Sequence, residues 1–144
     1  MSDYLQNNSA TKAGTILGVV VIGCIVLIAY FPMLGTGLWA DDYVWLERAG
    51  RSELGKYLTQ SFDLRSQGSS DHRRPLFGIL MWVEYSLFRA DGVSYHAVSI
   101  LIHLLNALLV FGIVDRISGE KRLGLIAGLL FALFPLNSFA VSWV

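Results

Sequence analysis

The chain has 144 residues, of which 54% are hydrophobic and 15% charged, and its mean hydropathy is +0.54. That is too apolar for an ordinary soluble domain and points to a membrane protein. Eleven basic and eleven acidic side chains cancel, so nothing in the charge balance suggests a nucleic-acid partner.

A polar leader, residues 1–12 ("MSDYLQNNSATK"), is expected to be disordered. "AGTILGVVVIGCIVLIAYFPML", residues 13–34, follows without a charge and matches the roughly 20 residues that cross a bilayer. It exceeds a usual signal-peptide core and has no clear small-x-small cleavage motif after it, so a retained signal-anchor is the expectation. The single cysteine, Cys24, lies inside this run, has no intrachain partner to pair with, and reads as a small lipid- or helix-facing residue.

Residues 35–94 read as an external loop with interfacial helices. It opens on "GTGLWADDYVWLERAG", where Asp41 and Asp42 sit among Trp39, Tyr43 and Trp45, aromatics suited to headgroup depth. "DDYVWLERA" reads as a short surface helix, "SELGKYLTQSF" as a second, and "RSQGSSDHRR" as a flexible connector. "PLFGILMWVEYSLF", Pro75 to Phe88, is short for a span and contains Glu84; it is expected to be a juxtamembrane or partly embedded helix, with Pro75 at its first position.

The second span is expected over residues 95–114. Its His96, Ser99, His103 and Asn106 recur at steps of three and four, a polar stripe that should face the bundle interior. Residues 115–122 form a turn carrying Arg116, Lys121 and Arg122, and 123–144 a third apolar run through Pro135. By the positive-inside rule the basic turn is cytoplasmic, which puts the Asp-Asp loop on the non-cytoplasmic side of a bacterial inner or ER-type membrane. The arginines of the loop run against this, but long loops weigh less in that rule. The fold class is therefore all-α, a multi-span membrane helical bundle. The apolar ending "FPLNSFAVSWV" reads as the N-terminal part of a longer protein or a truncated product.

Three groups could carry chemistry. An acid at the start of "DYVWLERA" caps a helix and complements its dipole. The same acids, Asp41 and Asp42, could instead serve as a general base on an acceptor hydroxyl or help to hold a divalent metal; the two readings weigh evenly. Arg73 and Arg74, just before a helix start, make a phosphate site or a snorkelling basic flank. For His96, Ser99, His103 and Asn106, interhelical hydrogen bonding is favoured over direct chemistry. The His and Asp residues lack dense metal-ligand spacing, and there is no Gly-rich phosphate loop or nucleophile elbow.

Taken in order, "LWADDYVWL", "RRPLFGILMWVEYSLFRADGVSYHAVSILIHLLNALLVF" and "LGLIAGLLFALFPLNSFAVSWV" resemble the N-terminal part of GT-C-type membrane glycosyltransferases. The similarity is to the group of the protein O-mannosyltransferases and the transmembrane-and-TPR mannosyltransferases. The resemblance implies a polyprenyl- or dolichyl-phosphate sugar donor, a protein or glycan acceptor, and a catalytic acid in the first external loop, here Asp41 or Asp42. Arg74 matches the family's Arg-Pro-Leu arginine, and His103 and Asn106 match its span motif. Two positions depart from the pattern: Phe134 replaces the usual His before the proline, and Phe139 an acid after it. The competing expectation is a non-catalytic membrane bundle: a transporter fragment, an assembly partner or an inactive truncated product.

Overall fold

The computed structural model describes residues 2–51, 53, 55–56 and 75–142. These residues contain no strand; they form six α-helices and one 3₁₀ turn. In chain order the elements are α1 (Ser2–Tyr30), the 3₁₀ turn Phe31–Gly35, α2 (Ala40–Arg51), α3 (Pro75–Phe88), α4 (Gly92–Ser118), α5 (Lys121–Leu133) and α6 (Pro135–Ser142). The all-helical class expected from the sequence is what these residues show.

Among the described residues two stretches are long and apolar enough to cross a bilayer: Lys12–Gly35, with 24 residues, and Gly92–Ser118, with 27. At about 1.5 Å per residue they reach roughly 36 and 40 Å, more than the ~30 Å of hydrocarbon. Several boundaries differ from the expected ones. The leader is not disordered from residue 2: α1 begins at Ser2, because residues 2–12 contain no Gly or Pro to stop a helix. Helix α4 outruns residues 95–114 at both ends. Its start is set by Asp91, whose carbonyl accepts the Ser94 and Tyr95 N–H groups and whose carboxylate accepts the Ser94 hydroxyl. The turn shrinks to Gly119 and Glu120, Gly119 taking φ +70 where a side chain would be strained.

The third apolar run is two helices rather than one. Pro135 has no N–H to give to Phe131 and favours an extended residue before it; Phe134 sits at φ −64, ψ 123. Helix α5 ends at Leu133 and α6 starts afresh at Pro135. The expected second surface helix, "SELGKYLTQSF", falls mostly outside the described residues, and the connector "RSQGSSDHRR" wholly so.

The chain divides into two compact units, Met1–Thr36 with His96–Val144, and Gly37–Tyr95. The first is held by Ile22, Val26 and Tyr30, one turn apart on α1, with Ile100, Ala107 and Phe111 of α4, Ala132 of α5 and Val141 of α6. Helix α5 enters on its small-residue line Gly124, Gly128 and Ala132. A Cβ on Gly124 would lie 2.8 Å from the Phe111 carbonyl oxygen, and one on Gly128 2.8 Å from Ile22 Cδ1 and 3.1 Å from the Ala107 oxygen. Backbone therefore meets backbone here, the small-xxx-small packing that lets apolar helices associate by dispersion. Lys121 ties the turn down, its Nζ donating to Thr15 Oγ1 at 2.6 Å and to Asp115 Oδ2 at 3.4 Å. The opposite sides of α1 and α4 leave Ile16, Leu17, Val20, Leu27, Ile28, Leu101, Leu105, Leu109 and Ile113 exposed.

In the second unit α2 buries Asp42, Leu46 and Ala49, spaced by four and three, and α3 buries Met81 and Glu84. Trp45 meets Phe77 edge-on at 5.2 Å between centroids. Gly50 admits the Tyr85 phenol, whose oxygen would stand 2.7 Å from any Cβ there. Arg89 closes α3 in the left-handed region, φ 57, its N–H bonded to the Tyr85 carbonyl at 3.0 Å.

Candidate functional site

The acidic pair opens α2, and the structure separates its two members. Trp39 is the residue before the helix. Its N–H donates to Asp42 Oδ2 at 2.7 Å, while the Asp42 N–H donates to the Trp39 carbonyl at 2.9 Å. This is the return half of a capping box, with an acid in the third helical position reaching back to the N-cap amide. Asp42 is 4% exposed. Asp41, one residue earlier on the helix, is exposed. Both lie in the first turn, where the helix dipole favours negative charge, and Arg48 and Arg51 occupy the last turn, where it favours positive charge. Arg51 pairs with Glu47, and Arg48 lies over the Trp45 ring at 5.2 Å. The arrangement therefore gives Asp42 the capping role and leaves Asp41 presented outward on a helix whose start is fixed.

Arg73 and Arg74, the expected phosphate-binding residues, lie outside the described residues. Among the described residues no three His, Cys, Asp or Glu side chains come together in a metal-sized group. A hard divalent cation such as Mg²⁺ or Ca²⁺ takes about six or more oxygens, so Asp41 and Asp42, one of them engaged in a cap, supply only part of such a shell.

The polar stripe on α4 is only partly a buried line. His96 and His103 are buried, Ser99 is half-buried, and Asn106 is exposed. Ten residues on from His96, Asn106 has drifted roughly 80° round a helix of 3.6 residues per turn. The buried line is instead His96, Ile100, His103, Ala107 and Phe111, whose spacings of three and four keep in step with that turn. Thr36 donates its hydroxyl to the Met33 carbonyl at 2.7 Å, so its oxygen accepts from His96 Nε2 at 3.3 Å. His103 Nε2 donates to the Ala132 carbonyl at 3.0 Å.

That last bond belongs to a cluster that motif reading did not single out. The break at Pro135 takes the usual fourth-residue donor from Ala132 and from Phe131, whose carbonyl keeps only the Phe134 N–H at 3.3 Å from the backbone. Asn137 Nδ2 donates to the Phe131 carbonyl at 2.7 Å, and the Tyr30 hydroxyl joins His103 on the Ala132 carbonyl at 2.9 Å. The His103 ring stacks on Phe131 at 5.5 Å and takes the Tyr30 ring edge at 4.9 Å. The signal was present in Pro135: a proline inside an apolar run orphans carbonyls, and away from water something must donate to them. His103 thus links α4 to α5 through the Ala132 carbonyl.

Comparison of the chain with protein-family models, with curated proteins and with solved structures gives no match in any of the three.

Proposed function

We propose that this chain forms part of an integral-membrane glycosyltransferase of the GT-C type, which moves a sugar from a polyprenyl- or dolichyl-phosphate donor to an external acceptor. The single observation that carries the reading is the division of the acidic pair: Asp42 holds the start of α2, and Asp41 stands exposed beside it. On this reading Asp41 takes the proton of the acceptor hydroxyl as that oxygen attacks the anomeric carbon. The bond from carbon to phosphate oxygen then breaks, and its electron pair stays on the lipid phosphate. Arg73 and Arg74, next to the α3 start, would steady that departing charge.

The topology proposed with it has Lys12–Gly35 and Gly92–Ser118 as two crossings and α5 with α6 as a third, in series. The basic turn then faces the cytoplasm, and α2 lies at the opposite surface with Trp39 and Tyr43, both exposed, at headgroup depth. The outward apolar side chains of α1 and α4 face lipid.

The capping geometry of Asp42 also favours a second reading, a non-catalytic membrane helical bundle in which the acids only hold a helix. Asp41→Asn and Asp42→Asn, made singly in the complete gene product, separate the two when membranes are assayed for transfer of radiolabelled sugar from its polyprenyl phosphate. The glycosyltransferase reading expects Asp41→Asn to lower transfer by about 10²-fold or more, the scale of a lost general base, with protein level unchanged. Wild-type transfer in both variants removes the catalytic assignment and leaves the bundle.

A further inference from the structure

Among the described residues Glu84 is the buried acid whose two carboxyl oxygens both lack a partner. It lies in the middle of the apolar helix α3, "PLFGILMWVEYSLF", and is 2% exposed. Both carboxyl oxygens are buried and neither has a hydrogen-bond partner among the described residues. A carboxylate cannot rest there as an anion: a buried charge without a partner costs several kcal/mol, and such a group binds a proton instead.

Among the described residues no basic side chain pairs with Glu84. On α2, packed against α3, the buried charged group is Asp42, an acid whose Oδ2 accepts the Trp39 N–H. On α3 itself Tyr85 reaches Gly50, with the Arg89 guanidinium over its ring at 5.4 Å. At the start of α4 the fully buried Tyr95 donates its hydroxyl to the Arg89 carbonyl at 2.7 Å, so its proton is committed elsewhere. Burial pushes the Glu84 carboxyl up to about 7, consistent with this setting.

We infer that Glu84 is a proton-binding site that controls the packing of α3 against α2: with its proton the pair stays closed, and on losing it the carboxylate must reach water, so the pair opens. The helix that moves is the one that begins with Asp41 and Asp42. This control is independent of whether those acids catalyse anything, and its test does not read sugar transfer.

The full chain in lipid nanodiscs, labelled with glutamate ¹³C at the side-chain carboxyl, is titrated by NMR from pH 4 to 9. One resonance titrating at about 7 and missing from Glu84→Gln is the expected result. Between pH 5.5 and 8.5 such a group goes from about 97% to about 3% protonated. Spin labels at positions 44 and 87, both exposed, on a Cys24→Ser background, should then show a longer α2–α3 distance at pH 8.5 than at 5.5, with Glu84→Gln short at both. A Glu84 resonance with its midpoint near the ordinary 4.5 overturns the inference, and that measurement needs no folded variant. So does an unchanged distance, or the same pH response in Glu84→Gln.

Discussion

Removing the donors that serve the Pro135 break should show a cost that neither single change reveals. In Tyr30→Phe the ring and its edge contact with His103 remain, and only the hydroxyl that donates to Ala132 is lost. His103 still serves that carbonyl, so the expected loss is that of one ordinary hydrogen bond, about 1 kcal/mol. His103→Leu removes the other donor, again about 1 kcal/mol, plus the ring contacts with Tyr30 and Phe131, each worth roughly 0.5–1.5 kcal/mol. The double variant leaves the buried Ala132 carbonyl without a side-chain donor, which adds the desolvation penalty of an orphaned acceptor, ~1–3 kcal/mol. The double-mutant cycle isolates that excess, because the ring contacts cancel within it. The assay is unfolding from lipid-detergent micelles on titration with SDS, followed by far-ultraviolet circular dichroism. A coupling of about 1 kcal/mol or more is expected. Losses that add to within ~0.5 kcal/mol would refute the reasoning, since the two donors would then act independently and their joint removal would orphan no acceptor.

Two further outcomes follow from the packing and from Glu84. Gly128→Leu should detach α5 from its neighbours, because its first carbon already falls 3.1 Å from the Ala107 carbonyl oxygen, which is backbone and cannot swing away; a loss of about 1–3 kcal/mol is expected in the same SDS titration, and wild-type stability would contradict the close approach. The pH dependence has a definite sign. Glu84 is raised from 4.5 to about 7 in the folded chain, so the folded state keeps its proton while the unfolded state loses one. Stability is then greatest below about pH 4.5 and falls as pH rises to about 7, by ~3 kcal/mol at ~1.4 kcal/mol per pH unit. Glu84→Gln should flatten that slope, and an unaltered slope in the variant would place the titration elsewhere.

The elements that could be read from the sequence are those whose ends are written in local chemistry. Pro75 marks the start of α3, and the acids among aromatics mark the start of α2. Hydropathy locates the two long apolar stretches but not the ends of their helices, since a bilayer boundary and a helix terminus are set by different physics: α1 continues through polar residues to Ser2 because nothing there breaks it. In the third run apolar composition suggests continuity, yet the missing N–H of Pro135 decides the break. At the site, the choice between Asp41 and Asp42 stays even in the sequence because both suit a helix start. Only the bond from the Trp39 N–H to Asp42 separates them. Glu84 is legible as an acid in an apolar helix; its lack of a partner is a tertiary fact.

Bilayer crossing by α1 underlies the whole account, and Cys24 tests it without adding a thiol. It lies within the Lys12–Gly35 stretch and is exposed on the helix surface. In native membranes opened to both aqueous sides, a water-soluble maleimide should leave Cys24 unmodified, because on this account the thiol would face hydrocarbon, out of reach of a reagent confined to water. The same reagent should label it fully once SDS dissolves the membrane. Prompt labelling in the intact membrane would contradict the crossing and the function built on it.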